Sequence, residues 1–243
     1  MAMRCLLIRS NQSGRTYLID NGAGEKFSSK MAEIYSLDYE HSNLISSLRE
    51  AGTTPDDITD VIFTHLHFDH CGGTTWYDSK GELKERFPNA RYHIHRRHLS
   101  SAQNPNEREG ASFLPENLDP ILQSGRIGLA DDGHTFEEGL ETRTVDGHTE
   151  GQLLPLLIAG NQKILFAGDL IPTHAHLPMP WIMGYDMHAR QTLQEKRQIL
   201  EEAVADNWYL FLEHDAFYEM ITVTKKNGTF SLERNLTLSR LGV

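Results

Sequence analysis

The run Thr64-His65-Leu66-His67-Phe68-Asp69-His70-Cys71-Gly72-Gly73 packs imidazoles at three positions and a carboxylate at a fourth into one short stretch of chain. Such a gathering is costly unless a cation sits among the groups. Imidazole nitrogen and carboxylate oxygen are the donors a borderline transition ion such as zinc prefers, and the H-x-H-x-D-H order supplies more of them than one ion uses. The run therefore reads as half of a two-metal hydrolytic site. A lone His-x-His on a strand is usually structural or surface-exposed; the aspartate and third histidine in the same loop turn the reading toward metal binding. Cys71 offers a soft sulfur beside His70, but a small side chain packed into the loop is the preferred reading, and it stays outside the ligand set.

The elements that must position these donors can be read around them. Val61-Ile62-Phe63 follows the turn-like Thr54-Pro55-Asp56-Asp57 and reads as a buried strand ending at Thr64, so the donors lie on the loop at its C-terminal end. His65 and His67 share a face if the extended geometry persists, and Gly72-Gly73 lets the chain bend afterwards. Upstream, residues 4–9 and 16–20 read as a hairpin closing into Asp20-Asn21-Gly22, and residues 42–51 as a helix with Ser42 as N-cap and Gly52 as its stop. Residues 91–98, Arg-Tyr-His-Ile-His-Arg-Arg-His, alternate like a strand running into a helix start. They suggest a solvated edge on which His93 and His95 are not ligands. Residues 100–121 carry Pro105, Pro115 and Pro120, which interrupt any long helix, and read as a loop-rich excursion with room for short helices, a candidate substrate lid. Residues 140–145 run as a strand into Asp146-Gly147-His148. Residues 153–159 and 163–167 form a hairpin ending at Gly168-Asp169. Residues 191–205 form an amphipathic helix, and residues 208–212 a strand that delivers Glu213-His214. His65, His148, Asp169 and His214 thus each follow an apolar strand, which places them at one edge of a sheet sandwich if the strands run alike.

The 243 residues suit one domain over 1–243, with 39% apolar and 23% charged residues typical of a globular chain. No apolar run is long enough to cross a bilayer, and residues 1–10 do not read as a signal peptide. Two cysteines, Cys5 and Cys71, are too few for a disulfide framework, which points to a reducing cytoplasm. A formal net charge of −11 argues against a polyanionic partner such as nucleic acid. The expected partner is a small-molecule substrate, with no nucleic acid and no membrane; a homodimer is compatible with this reading.

Through His65-Leu66-His67-Phe68-Asp69-His70, Gly147-His148-Thr149, Gly168-Asp169 and His214, the chain resembles the metallo-β-lactamase superfamily, from Asp20-Asn21-Gly22 to the last histidine. It looks most like the N-acyl-homoserine-lactone lactonases and related lactone, ester or organophosphate hydrolases. The resemblance implies an α/β fold, a four-layer αββα sandwich, with two divalent ions at one edge, zinc first with iron or manganese also accepted. It implies that His65, His67 and His148 hold one ion, that Asp69, His70 and His214 hold the other, and that Asp169 bridges them. A metal-bridging hydroxide then attacks a small ester or lactone, and Asp69 is the candidate to pass the proton onward. The lactonases carry a substrate-contacting tyrosine shortly after the bridging aspartate, where this chain reads Leu170-Ile171-Pro172-Thr173-His174. Tyr185, His174 and His176 are candidate replacements.

Other readings fit less well. Glyoxalase II binds its thioester with a helical C-terminal extension, and ribonuclease-type members need an RNA-binding arm. Flavodiiron reductases place glutamate where His67 stands. The alternative from a different class is a mononuclear non-haem iron persulfide dioxygenase-like oxidoreductase, which the same ligands could serve.

Overall fold

The computed structural model describes residues 1–39, 41 and 43–241. It contains two compact units, one built from Cys5–Ile94 with Ala102–Leu129, the other from Met1–Arg4, His95–Ser101 and the chain from Ala130 onward.

The first unit is organised by a five-stranded sheet. Its strands are β1 (Leu6–Arg9), β2 (Thr16–Ile19), β3 (Asp60–Ile62), then, after a small β4 (Thr75–Tyr77) and β5 (Leu83–Glu85) hairpin, β6 (Arg91–His95) and β7 (Ile127–Ala130), in the order β1-β2-β3-β6-β7. β1 and β2 form the expected antiparallel hairpin, whereas β3 runs parallel to both β2 and β6. Parallel interior strands are covered on both faces, so they read as continuous apolar runs: Tyr17, Leu18, Ile19, Val61, Ile62 and Phe63 are all buried. Because β2 and β3 are parallel neighbours, their C-terminal ends emerge side by side, and Asp20 N donates to Ile62 O at 3.0 Å.

The helices are α1 (Ser29–Tyr35), α2 (Leu44–Glu50), α3 (Phe68–Cys71), α4 (Arg96–Gln103), which follows β6 directly, and α5 (Pro115–Gln123). The N-cap of α2 is Asn43, which forms a capping box with Ser46; the expected cap Ser42 lies outside the described residues.

One expectation needs correction. The 91–98 stretch is an interior strand and not a solvated edge, with Tyr92, His93, Ile94 and His95 buried. Its histidines tolerate burial because each meets a carboxylate, His93 Nε2 at 2.7 Å from Asp60 and His95 Nε2 at 3.1 Å from Asp132. The 100–121 segment carries the short helix α5, which Pro115 opens and within which Pro120 lies. Proline at the first turn loses no bond. Pro120 cannot bond the carbonyl of Glu116, which instead accepts from Thr75 Oγ1 at 2.8 Å.

The second unit carries a seven-stranded sheet ordered β14-β13-β12-β11-β10-β9-β8. The strands are β8 (Thr135–Glu137), β9 (Leu140–Val145), β10 (Gln152–Ala159), β11 (Gln162–Phe166), β12 (Tyr209–Phe211), β13 (Met220–Lys226) and β14 (Thr229–Leu236). Helix α6 (Ala189–Ala205) lies in the connection between β11 and β12 and buries Thr192, Lys196, Ile199, Leu200 and Ala203, one stripe at helical spacing. Ile199, Leu200 and Ala203 join Leu154, Leu165, Leu210 and Ile221 in a single core cluster. β9 and β11 are each antiparallel to β10, and β12 is parallel to β11, so β9, β11 and β12 all run one way. Gly147-His148, Gly168-Asp169 and Glu213-His214 therefore leave the same end of this sheet. Among the described residues, no helix is long and apolar enough to cross a membrane.

The turn after the histidine run is locked by contact with the turn after β2. Gly73 N donates to Gly22 O at 3.0 Å and Asn21 N to His70 O at 2.8 Å, and a Cβ on Gly72 would lie 2.1 Å from Ala23 O. Gly72→Ala is expected to force these backbones apart and lower stability by about 2 kcal/mol, read as a reduced midpoint in thermal denaturation. An unchanged midpoint would show that the two turns are not pressed together.

Candidate metal centre

In the first unit the donors are arranged by the parallel pair β2 and β3. Asp20, buried and held at φ 53°, closes β2. Its carboxylate accepts from Thr64 N at 2.8 Å and Thr64 Oγ1 at 2.6 Å, and from His70 Nδ1 at 3.0 Å. Since the Thr64 hydroxyl gives its proton to Asp20, its oxygen accepts from His65 Nδ1 at 3.0 Å. His67 ends the extended segment as the N-cap of α3 and donates from Nε2 to Glu109 Oε1 at 3.1 Å. The three rings cluster, His65 lying 4.4 Å from His67 and 3.9 Å from His70 between centroids. Asp69 stands at the wetter side, its side chain 24% exposed and Oδ2 at 3.8 Å from His70 Nε2.

In the second unit Asp169 sits between two imidazoles, with Oδ2 at 3.2 Å from His148 Nε2 and Oδ1 at 3.0 Å from His214 Nε2. The far nitrogens are engaged as well: His148 Nδ1 donates to Asp186 Oδ1 at 2.9 Å, and His214 Nδ1 to Ala2 O at 2.9 Å. The His148 turn is held from α6, where the Glu195 carboxylate accepts from Asp146 N at 2.8 Å and Gly147 N at 3.0 Å. Burial raises the pKa of Glu195, and hydrogen bonds from Gln191, Asp146 and Gly147 oppose that rise.

These bonds fix the tautomers. A carboxylate or carbonyl oxygen only accepts, so each histidine carries its proton on the nitrogen facing that partner and, when neutral, turns a lone pair the other way. His65, His70, His148 and His214 thereby present Nε2, and His67 presents Nδ1. Around Asp169 this sets imidazole lone pairs against carboxylate oxygens at 3.2 and 3.0 Å. That contact is favourable only with positive charge present, and imidazole–carboxylate sets oriented by outer oxygen acceptors are what transition-metal sites use. The residues thus fit divalent cations. Two groups of donors suit metal ions, His65 with His67 in the first unit, and Asp169 with Glu213 and His214 in the second; within each group the ligand atoms lie within 4.8 Å of one another.

Asp69 is in neither group, and buried Glu213 is in the second. In the sequence Glu213 stands out only as the neighbour of His214, and local pattern assigns no role to Asp20 beyond its turn and none to Thr64, Glu109 or Asp186. The Asp-x-Gly turn beside the strand before the histidines was a usable signal for Asp20; for Glu109 and Asp186 there was none, as both lie in loops far along the chain from their histidines. Cys71 is a buried thiol donating to Leu66 O at 3.3 Å, with its pKa pushed up to about 12 by burial, in keeping with a packing role. The tyrosine replacements differ in setting. Tyr185 is 58% exposed, with its ring centroid 6.2 Å from that of His148. His174 is tied through Nδ1 to buried Asp215 at 2.5 Å, and His176 through Nδ1 to Thr173 Oγ1 at 2.8 Å.

Residues 4–214 match the family described as the metallo-beta-lactamase superfamily. Among solved structures, a probable metal-dependent hydrolase from Staphylococcus aureus is 25% identical with a TM-score of 0.83, over 97% of this chain and 83% of that one. AidC, a dizinc quorum-quenching lactonase, is 23% identical with a TM-score of 0.79, over 98% and 81%. The hydrolase AbOPH of the beta lactamase superfamily is 20% identical with a TM-score of 0.75, over 93% and 78%. The α/β sandwich expected from the sequence is the fold these chains share.

The loop that carries Asp186 depends on one cation. Lys196 lies fully buried in the apolar stripe of α6, and its Nζ reaches the carbonyls of His176 at 3.0 Å, Pro178 at 3.2 Å, Met179 at 3.1 Å and Trp181 at 2.6 Å. Burial lowers its pKa to about 8, with Asp186 opposing the shift. Lys196→Met keeps the volume but leaves the carbonyls without their donor. It is expected to cost on the order of 3 kcal/mol, measured by urea denaturation, and to increase hydrogen exchange across residues 174–186. Unchanged exchange there would show that the lysine does not organise the loop.

Proposed function

The chain belongs to the metallo-β-lactamase superfamily, and from that premise we propose that it is a metal-dependent hydrolase of a small ester or lactone, with organophosphates as a related class. In this reading His65, His67 and His148 hold one divalent ion, while Asp69, His70 and His214 hold the other with Asp169 shared. Zinc is the first choice of metal, as in the dizinc lactonase AidC, with iron or manganese accepted by the same donors. The observation that carries the proposal is the set of five histidines whose outer nitrogens are all engaged by oxygen, so that their inner lone pairs are committed before any ion arrives.

A pair of bound ions supplies Lewis acidity toward a carbonyl or phosphoryl oxygen and makes water a nucleophile near neutral pH. This chain's residues do the rest. The outer acceptors Asp20, Thr64, Glu109, Asp186 and Ala2 O hold the imidazoles in place, which removes reorganisation from the reaction. Asp69 is the proposed proton carrier, taking the proton of the attacking water on a carboxylate oxygen and returning it to the leaving oxygen; its partial exposure at 24% suits that exchange. Tyr185, exposed beside His148, is the proposed substrate contact in place of the lactonase tyrosine. We take residues 1–243 to act as one domain, and a chain with Cys5 and Cys71 as its cysteines suits a reducing cytoplasm.

The proposal is tested with lactone and aryl-ester hydrolysis before and after chelation. Hydrolysis is expected to vanish on chelation and return with zinc. Asp169→Asn should lower kcat/KM by more than roughly 100-fold, beyond the loss typical of outer partners of metal ligands, and Cys71→Ala should leave it intact. Chelator-insensitive hydrolysis, or oxygen uptake on a persulfide by protein holding a single iron, would overturn the reading, the latter in favour of the dioxygenase class.

A further inference from the structure

His67 differs from the other histidines in where its outer nitrogen goes. Its partner Glu109 is supplied by the 100–121 segment, which the sequence marked as a candidate lid. The Glu109 side chain is only 4% exposed, and a compact turn presents it. Asn106 Oδ1 accepts from Arg108 N at 3.0 Å and Glu109 N at 3.1 Å. Asn106 Nδ2 donates to Glu109 Oε2 at 3.3 Å, and Asn106 O accepts from Gly110 N at 2.9 Å. At the far end of the same turn Ser112 N donates to Glu109 O at 2.8 Å, and the Phe113 ring lies 5.2 Å from that of His67. The turn therefore holds His67 by a carboxylate at Nε2 and by a tilted aromatic ring beside it.

Resting on the metal-centre reading above, we propose that Glu109 is a positioning residue that commits His67 to bind metal through Nδ1 and couples order in residues 104–113 to metal loading. A carboxylate cannot donate, so the proton of neutral His67 is held on Nε2 and the lone pair is fixed on Nδ1. An ion drawing on Nδ1 makes Nε2–H a stronger donor toward Glu109, which tightens the turn. By reciprocity, whatever orders the turn also strengthens the hold on the ion. The segment expected to be a lid is thus mechanically part of the metal site through one hydrogen bond, and substrate that settles against the turn would feel the state of the centre.

The test uses the full chain, with zinc as probe, in chelator competition and in hydrogen exchange across residues 104–113, comparing wild type with Glu109→Gln, Glu109→Ala, Asn106→Ala and the exposed control Glu107→Ala. Zinc is expected to protect residues 104–113 in wild type. Glu109→Ala should weaken retention of one ion by roughly 10–100-fold and abolish the zinc-dependent protection. Glu109→Gln, which still offers an acceptor but no charge, should fall between Ala and wild type. Asn106→Ala should loosen the turn and shift affinity less, and Glu107→Ala should match wild type. A purely structural role for Glu109 would move the melting temperature of the metal-free protein without this graded effect on zinc. Wild-type affinity in Glu109→Ala, or exchange at 104–113 that ignores zinc in wild type, overturns the inference and leaves the hydrolase reading standing. Wild type that binds no zinc, iron or manganese overturns the reading itself, and the inference with it.

Discussion

A carboxylate withdrawn from water must be met by donors or by positive charge, and Asp169 places that demand at the head of its sheet. It is 5% exposed and lies within 3.2 Å of two imidazole nitrogens. Those nitrogens are not free to supply protons at no cost, because Asp186 and Ala2 O already claim the protonated sides of the rings. Protonating both rings would settle the arrangement electrostatically, but a divalent cation does so with the donors as they stand. The first unit repeats the logic, with Asp20 and Thr64 claiming the outer nitrogens of His70 and His65. Metal affinity here is therefore a property of the oxygen acceptors behind the rings as much as of the rings.

Strand direction explains how so many loops supply one kind of chemistry. β9, β11 and β12 run alike, so their C-terminal loops emerge at one end of the seven-stranded sheet. In the five-stranded sheet the parallel pair β2 and β3 places Asp20 beside Thr64, and a backbone bond from Asn21 to His70 closes the loop on itself. Lysine side chains set behind the donors maintain this framework. Lys196 gathers four carbonyls of one loop, and Lys26 Nζ donates to the carbonyls of Gly72 and Thr75 behind the histidine turn.

The parts legible in the sequence were those in which local pattern and donor chemistry coincide. The strand ending at Thr64, the hairpin into Gly168-Asp169 and the strand before Glu213-His214 announce themselves by apolar runs stopped by polar residues, and the structure has strands at each. Long-range polar pairing was not legible. His93 and His95 looked solvated because their partners Asp60 and Asp132 lie more than thirty residues away in the chain. That Pro120 fits inside α5 was not legible either, because the hydroxyl that satisfies the freed carbonyl comes from Thr75. Glu109 and Asp186 were invisible for the same reason: hydrogen bonds across distant segments leave no periodicity.

Five pre-oriented histidines and the carboxylates among them offer, on the proposed reading, donors for two ions. Metal content per chain, determined by plasma mass spectrometry on protein purified without added metal and again after zinc reconstitution, tests it most directly. The expected stoichiometry saturates at two divalent ions per chain. Saturation at one ion, or no ion retained after reconstitution, would contradict it.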